Sequence, residues 1–422
     1  MRLEDYIALN YGNSPFWFEE ECNLPYHRER INDVIANKEY LRGNHAVLNR
    51  EDGVYKGKEM VTRKIIIQYA KTIIRFHDEY LLGKPVTFTG DDDKELEEFN
   101  SIYKFGRYNS TDWTILDRVN KFGDAYEVVF YDNTKGVIKS KILDSADCYP
   151  VYTDLGDYIA FIEHWTDSVS KVEYYNVYTP NMVERWTNEG GTLHTYATDV
   201  NVVGLPIHYH NENDVDYNFG KSLLNDLKPL LDEEEDMMSK LGDAIFVQSL
   251  NPLNVSIGQR IDSSIPSDAC GFVLNLEGGG DFKVVSTQLD YNSIKNYINF
   301  VHIALNEVAC IPAVLSNTEV ANISEMSMKM LFQLANVMAS NNEKWLNKGF
   351  QERFDRWRTI LRLKNGTDYT SYVGVSFNKD MPLAESERVG NVKTLVDLGI
   401  MSKKDGAIKS GLVNEPEKVK ED

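Results

Sequence analysis

The stretch SEMSMKMLFQLANVMASNNEKWLNKGFQERFDRWRTILRL, residues 324–363, is the longest helical pattern in the chain. It contains no proline and a single glycine, Gly349. At 1.5 Å per residue it would form a rod of roughly 60 Å, which exceeds most globular helices and indicates a scaffold element. Apolar residues occur nearly all around its first half, which predicts packing between subunits as well as within one. The candidate subunit-interface residues are Met326, Met330, Phe332 and Met338.

Helical and strand patterns are mixed over the rest of the chain. Apolar residues at helical spacing predict further helices over residues 61–82, 93–105, 222–242, 292–310 and 384–399. Short runs rich in β-branched and aromatic residues predict an antiparallel meander, with strands at 126–131, 137–143, 158–165, 171–178 and 182–187. The predicted fold class is therefore α+β.

The composition is that of a folded protein, with 42% hydrophobic and 26% charged residues among 422. This length suggests two or three domains, or one elongated subunit of several parts. The 45 basic and 65 acidic side chains give a net charge of −20. Because a protein this acidic repels DNA on average, composition argues against a high-affinity nucleic-acid binder.

Targeting signals and cysteines indicate the compartment. No apolar run approaches the roughly 18 residues of a membrane-spanning helix, and the N-terminus lacks a secretory signal. We therefore expect a soluble protein without a membrane partner. The cysteines are too far apart to predict a zinc site or a disulfide framework, which fits a reducing cytosol; they are Cys22, Cys148, Cys270 and Cys310.

Residues 1–25 form an acidic, aromatic arm, either a partly ordered terminus or an arm that packs on a neighbouring subunit.

One short motif resembles a phosphate-binding loop. Phe219-Gly220-Lys221-Ser222 precedes a predicted helix, as in a P-loop, but Val215 stands where the motif needs its first glycine. The simpler prediction is that the serine caps the helix and that the preceding glycine permits a sharp entry.

A pair of histidines could bind a metal. His208 and His210 would lie on one face of a strand, but no third ligand follows at a recognisable spacing. The favoured interpretation is a surface strand that leads into a polar loop.

Two acidic runs remain, Asp91–Asp93 and Asp232–Asp236. The first opens a helix, where carboxylates favourably meet the positive end of the dipole. The second lies within a helix and is either a solvated face or, on a surface that faces DNA, a set of charges that repels phosphates. With Mg²⁺ both runs could instead serve a nuclease or an ATPase, although the chain has no nucleophile elbow, catalytic triad or dinucleotide loop. We therefore expect no enzyme, no catalytic residue, no metal and no cofactor.

Four stretches carry a resemblance that no single motif does: Tyr40-Leu41-Arg42-Gly43-Asn44-His45, then Ile67–Ile74 with Tyr80–Val86, then Phe219-Gly220-Lys221-Ser222, and last Phe377–Glu417. In this order, over nearly the whole chain, they resemble the portal proteins of long-tailed (siphovirus) double-stranded DNA bacteriophages, in particular the family found in phages of Gram-positive hosts. That family often has asparagine where Gln68 stands here. The C-terminal part is short, so a large crown is not expected.

The resemblance implies a ring, usually of twelve subunits, around a DNA channel. Each subunit would have an α/β wing, a two-helix stem, a small α/β clip, a long tunnel helix and a short crown. The implied boundaries are an N-terminal arm at 1–25, the wing at 26–215, a stem helix at 216–244, the clip at 245–288, a second stem helix at 289–312, a tunnel loop at 313–325, the long tunnel helix at 326–363, and the wing completion with a short crown at 364–422.

The implied function is a conduit without chemistry of its own, at one capsid vertex of the virion, assembled in the host cytoplasm. Genomic DNA would pass through it during packaging and ejection. Implied partners are further copies of the chain, double-stranded DNA bound non-specifically and transiently, the terminase large subunit, the head–tail connector, scaffold protein and major capsid protein. The alternatives are another structural protein of the head–tail connector, or a metal-dependent DNA-processing enzyme.

Two sets of residues are implied at the contacts of such a ring. An uncharged loop with one nearby lysine would lie nearest the DNA, with Asn317, Thr318, Asn322, Ser324 and Lys329. The clip would meet the packaging motor or the connector through Asn251, Asn254, Gln259 and Arg260. A net charge of −20 suits a wall past which a polyanion slides without tight binding.

Overall fold

The computed structural model describes residues 1–55, 58–246, 253–258, 278–285, 291–312, 330–379 and 385–410. Within them the helices are α1 Leu3–Tyr11, α2 Trp17–Cys22, α3 Pro25–Arg42, α4 Tyr69–Leu82, α5 Asp93–Gly106, α6 Tyr108–Phe122, α7 Leu223–Ala244, α8 Tyr291–Val308, α9 Gln333–Asn365, α10 Glu385–Asp397 and α11 Lys403–Ser410. The strands are β1 Gly53–Tyr55, β2 Lys58–Met60, β3 Thr87–Gly90, β4 Asp124–Asp132, β5 Val137–Ile142, β6 Cys148–Tyr152, β7 Tyr158–Thr166, β8 Glu173–Tyr178, β9 Met182–Thr187, β10 His194–Val200, β11 Ile207–His210, β12 Leu253–Ile257, β13 Asp281–Val285 and β14 Val373–Ser376. The α+β class is confirmed.

The chain divides into two compact units. The first consists of residues 1–22, 75–221 and 310–422, and the second of residues 23–74 and 222–309. Both units are therefore discontinuous in sequence.

The strands of the first unit form separate antiparallel sheets. Strands β6 to β10 follow one another in a five-stranded meander, while β4 lies between β11 and β5 in a three-stranded sheet. The prediction of one meander was therefore wrong for β4 and β5. The first four residues of β4 are all buried, so both faces are covered, which suits the central strand of a separate sheet.

The core of the first unit is built around α9. Phe350, Phe354 and Trp357 are almost completely buried, and the Trp357 ring meets Phe99 edge-on at 5.3 Å. Gly349 is required because a Cβ at this position would overlap the ring of Tyr209. The single glycine of the long helix thus allows a β11 side chain to approach its backbone.

The first 22 residues of the N-terminal arm are folded and belong to the first unit, so the expectation of a partly ordered terminus was wrong, whereas packing on a neighbouring subunit stays a prediction. Phe18 of α2 is buried against the rings of Tyr175 and Trp186, each at 5.2 Å. The hydroxyls of Tyr6 and Tyr11 both donate to the buried carboxylate of Glu21, at 3.0 and 2.6 Å. The Phe18 ring therefore holds the arm on the meander, and the Glu21 carboxylate joins α1 to α2 within the arm.

The second unit contains an extended segment where a helix was predicted. Helix α4 begins at Tyr69, and residues 63–67 instead run extended along α7. Three alternate amides donate to three α7 side chains: Arg63 N to Asp243 Oδ1 at 3.0 Å, Ile65 N to Ser239 Oγ at 2.9 Å, and Ile67 N to Glu235 Oε1 at 2.8 Å. We call residues 63–67 the strap.

None of the helices in these described ranges is both long and apolar enough to cross a bilayer.

The acidic triplet opens α5 as expected, because Asp92 accepts from the amides of Lys94 and Glu95 at 2.9 and 3.3 Å.

Candidate functional site

Helix α7 begins at the motif that resembled a P-loop. The Ser222 side chain accepts from the Leu224 amide at 3.1 Å, so it caps the helix, as predicted. Within the first unit, Gly220 lies so close to Gly123 that a Cβ at Gly220 would overlap the Gly123 carbonyl. The glycine of the motif therefore serves close backbone packing.

The acidic run on α7 points into the second unit. Glu234 and Glu235 are buried, and burial raises the pKa of both Asp232 and Glu234. Every carboxylate of the run has a partner: Asp232 accepts from Tyr40 Oη at 3.1 Å, Glu233 from Tyr297 Oη at 2.9 Å, Glu234 contacts His302 Nδ1 at 3.2 Å, Glu235 contacts His45 Nδ1 at 2.8 Å, and Asp236 pairs with Arg50 Nε at 3.4 Å. The interpretation as a solvated face was wrong for Glu234 and Glu235, whereas the phosphate-repelling face stays a prediction.

His45, the partner of Glu235, belongs to the first stretch that carried the family resemblance, residues 40–45. Gly43 ends α3 with φ +110°, in the left-handed region that favours glycine. The turn folds His45 back so that its ring stacks on Tyr40 at 3.9 Å and 11°. His45 Nε2 lies 2.9 Å from the Tyr40 carbonyl oxygen, which can only accept, so Nε2 carries a hydrogen. The motif thus aims His45 Nδ1 at Glu235 of α7.

Helix α8 packs against α7 but leaves apolar side chains uncovered. Val301 and Leu305 are buried, and Tyr297 and His302 bond to α7. Other apolar side chains of α8 are exposed in this chain, namely Phe300 at 69%, Ile303 at 56% and Val308 at 47%. Contiguous exposed apolar surface on a helix marks an interaction site more often than a free surface.

The start of α9 offers a second uncovered apolar surface. Met330 is 67% exposed and Met338 is half-buried, whereas the Phe332 ring packs near Phe76 and Tyr80 in the first unit. Sequence analysis missed its exposed neighbours Leu334 and Val337, whose helical spacing from Met330 was the available signal.

Most of the predicted contact residues lie outside the part of the chain that the structure describes. For Asn254 the structure gives the backbone, which pairs with Val284 where β12 lies antiparallel to β13. The others are Asn251, Gln259, Arg260, Asn317, Thr318, Asn322, Ser324, Met326 and Lys329. Their assignments stay predictions.

The histidine pair of β11 is buried, not on a surface strand as expected. The rings of His208 and His210 lie 5.3 Å apart, so they do share a face. His208, however, bonds to Asp124 through Nε2 at 2.8 Å and to Tyr152 Oη through Nδ1 at 2.6 Å. Burial lowers the pKa of His210 to about 4, with His208 adding to the effect. The pair is engaged in a polar core of the first unit.

A buried arginine in the first unit has no signal in the sequence. Arg353 of α9 donates to Glu127 Oε2 at 2.9 Å and to Asp112 Oδ1 at 2.6 Å, and all three side chains are buried. Burial raises the pKa of Asp112 to about 6 although Arg353 opposes the shift. The partners are 226 and 241 residues away along the chain, so no local pattern could pair them.

Comparison with known proteins gives one family and a set of similar structures. The sequence model of the family "phage portal protein, SPP1 Gp6-like" matches residues 24–422. No curated protein matches the chain significantly.

Three of the similar solved structures come from gene transfer agent (GTA) particles. A chain in the neck of an empty GTA particle, computed with C6 symmetry, is 11% identical with a TM-score of 0.50, and the match covers 81% of this chain and 90% of that one. A chain from the virion of a native gene transfer agent particle is 12% identical with a TM-score of 0.47, over 81% of this chain and 89% of that one. The likeness to the first of these chains, with a TM-score of 0.50 at 11% identity, shows a similar fold and nothing more.

Proposed function

The chain belongs to the SPP1 Gp6-like family of phage portal proteins, and on this premise we propose that it forms the ring-shaped conduit for genomic DNA at one capsid vertex. The observation that carries the proposal is the family match over residues 24–422, nearly the whole chain. In this role the ring passes double-stranded DNA during packaging and ejection. It docks the terminase large subunit first and the head–tail connector later, after assembly with scaffold and major capsid protein in the host cytoplasm.

Ring closure needs two different adhesive faces on each subunit, because the contacts in a ring are heterologous. The exposed apolar side chains of α8, such as Phe300 and Ile303, support one such face. Met330 and its exposed neighbours at the start of α9 support another. Twelve copies is the number that the family resemblance favours.

Helices α7 and α8 are the proposed stem, since they fall within the implied stem boundaries of 216–244 and 289–312. The two-stranded antiparallel sheet of β12 and β13 falls within the implied clip. The carboxylates of the acidic run Asp232–Asp236 are bonded inside the second unit, and the chain as a whole carries a net charge of −20 that repels DNA from the channel wall. A wall without many lysines and arginines lets DNA slide, because tight binding comes from basic side chains that release counterions.

The enzyme alternative was motivated by the two acidic runs, and hydrogen bonds within the protein account for most of their carboxylates. Asp92 caps α5, and the carboxylates of Asp232–Asp236 are bonded to tyrosine, histidine and arginine side chains. Asp91 and Asp93 of the first run are exposed.

The conduit role is tested by genetic complementation in a phage that lacks this chain. Without the chain, we expect heads that contain no packaged genome, because DNA has no entry vertex. Supplying the chain in trans should restore filled, infectious particles. Filled heads formed in its absence would contradict the proposal.

The contact residues are tested by a photo-cross-linking amino acid placed in the packaging-competent ring. At Asn322 we expect cross-links to DNA during packaging, and at Gln259 cross-links to the terminase or the connector. Leu155, which is exposed in the first unit, is the matched control that should give neither. Equal DNA cross-linking at positions 322 and 155 would refute the tunnel-loop assignment.

A further inference from the structure

We propose that His45, Asp232 and Glu235 of the second unit form a binding site for one divalent transition-metal ion, of which Zn²⁺ is the representative. One ligand atom from each side chain lies within 4.8 Å of the others, and this is the group that meets that condition among the described residues. The proposal does not depend on the conduit role, since it rests on this geometry alone.

The imidazole is oriented as in a metal site. His45 Nε2 donates to the Tyr40 carbonyl at 2.9 Å, which fixes the tautomer and leaves Nδ1 to face the carboxylates. Histidines that bind metals commonly donate their second ring nitrogen to a carbonyl or a carboxylate in this way. The ring cannot turn away, because it is 97% buried and stacked on Tyr40.

Each carboxylate is held by a group outside the proposed ligand set. Glu235 Oε1 accepts from the Ile67 amide of the strap at 2.8 Å, which leaves Oε2 beside His45 Nδ1. Asp232 Oδ1 accepts from the Tyr40 hydroxyl at 3.1 Å. All three ligands are therefore positioned by hydrogen bonds with the backbone or with the Tyr40 hydroxyl.

The charge of the ligand set matches that of a divalent ion. Asp232 and Glu235 supply two carboxylates, and His45 would bind through a neutral Nδ1. The ion takes the place of the hydrogen between Nδ1 and Glu235 Oε2, which leaves to solvent as a proton. Lys228 is a further cation near the cluster, with its Nζ 5.4 Å from the centre of the Tyr40 ring.

The ligand types select the class of metal. One imidazole nitrogen with two carboxylates suits Zn²⁺ and its neighbours, whereas Mg²⁺ and Ca²⁺ prefer oxygen ligands alone. Asp232 is only half-buried, which gives an ion a path from solvent. An ion here would join the turn after α3 directly to α7.

The test is calorimetric titration of Zn²⁺ into the metal-stripped full chain. The wild type should bind about one ion per chain, and Mg²⁺ should not compete. Asp232→Asn keeps the acceptor for Tyr40 but removes the charge, and should weaken Zn²⁺ binding at least about tenfold. Asp236→Asn, one turn along the same helix and outside the ligand set, should bind Zn²⁺ like the wild type.

Co²⁺ provides a second readout of the same site. Visible ligand-field absorption should develop in the wild type and in Asp236→Asn, and should be lost or shifted in Asp232→Asn. Circular dichroism checks that the variants fold, and the wild-type titration decides the question if one does not. No stoichiometric binding by the wild type, or equal binding by Asp232→Asn, would overturn the proposal and leave the cluster a hydrogen-bonded ion pair.

Discussion

At the residue scale, Gln68 has a strained backbone. Its φ is +60°, in the left-handed region, where glutamine is strained and asparagine or glycine is tolerated. The residue lies just before α4, and its carbonyl accepts from the Lys71 amide at 3.2 Å. The family resemblance implied that asparagine is common at this position. The backbone conformation that would favour asparagine is visible only in the structure.

Gln68→Asn should therefore stabilise the protein, by up to about 1 kcal/mol, because asparagine adopts the left-handed conformation at lower cost. Urea denaturation followed by circular dichroism measures the change. Gln68→Ala is the control, since alanine gains nothing at positive φ. A midpoint for Gln68→Asn at or below that of the wild type would show that strain at this position is not relieved.

Other single residues mark the limit of prediction from sequence. The Ser222 cap and the Asp92 cap could be predicted, because a cap needs only its own helix start. The bonds from Arg353 to Asp112 and Glu127 could not, because tertiary folding alone brings them together. For the same reason the metal ligands were missed, since His45 and Glu235 are 190 residues apart.

At the element scale, the strap explains why a helical pattern failed to form a helix. Residues 61–68 have apolar spacing compatible with a helix, yet 63–67 are extended along α7. Two residues of extended chain advance about 6.6 Å and four residues of helix advance about 6.0 Å. Alternate strap amides therefore match α7 side chains one turn apart, at positions 243, 239 and 235. These bonds replace the hydrogen bonds that the strap amides would make within a helix. No local sequence pattern predicts them, because their partners lie 168 to 180 residues away.

Ser239 is the central contact of the strap and is fully buried. Ser239→Ala should cost about 1 kcal/mol, because the half-buried Ile65 amide then loses its acceptor. Ser110→Ala on α6 is the matched control, because that serine is exposed, and should change stability by less than about 0.5 kcal/mol. Equal free energies of unfolding for the two variants would mean that the strap bonds contribute little.

At the scale of the whole molecule, the order of features along the chain was more informative than any one of them. The α+β class, most strand and helix positions and the portal family could be predicted from sequence. The allocation of β4 and β5 to a separate sheet could not, because pairing with the distant β11 decides it. The subunit interfaces remain predictions that rest on exposed side chains of α8, such as Phe300, and on Met330 just before α9.

The central claim, that this chain closes into a ring, is tested most directly by electron-microscopy class averages of the purified protein viewed along the symmetry axis. We predict closed rings of about twelve copies around an open channel. In the same images Phe300→Glu should deplete the rings, because a charge replaces an apolar contact, whereas Leu155→Glu should leave them intact. Only monomers of the wild type, with and without scaffold protein, would contradict the account.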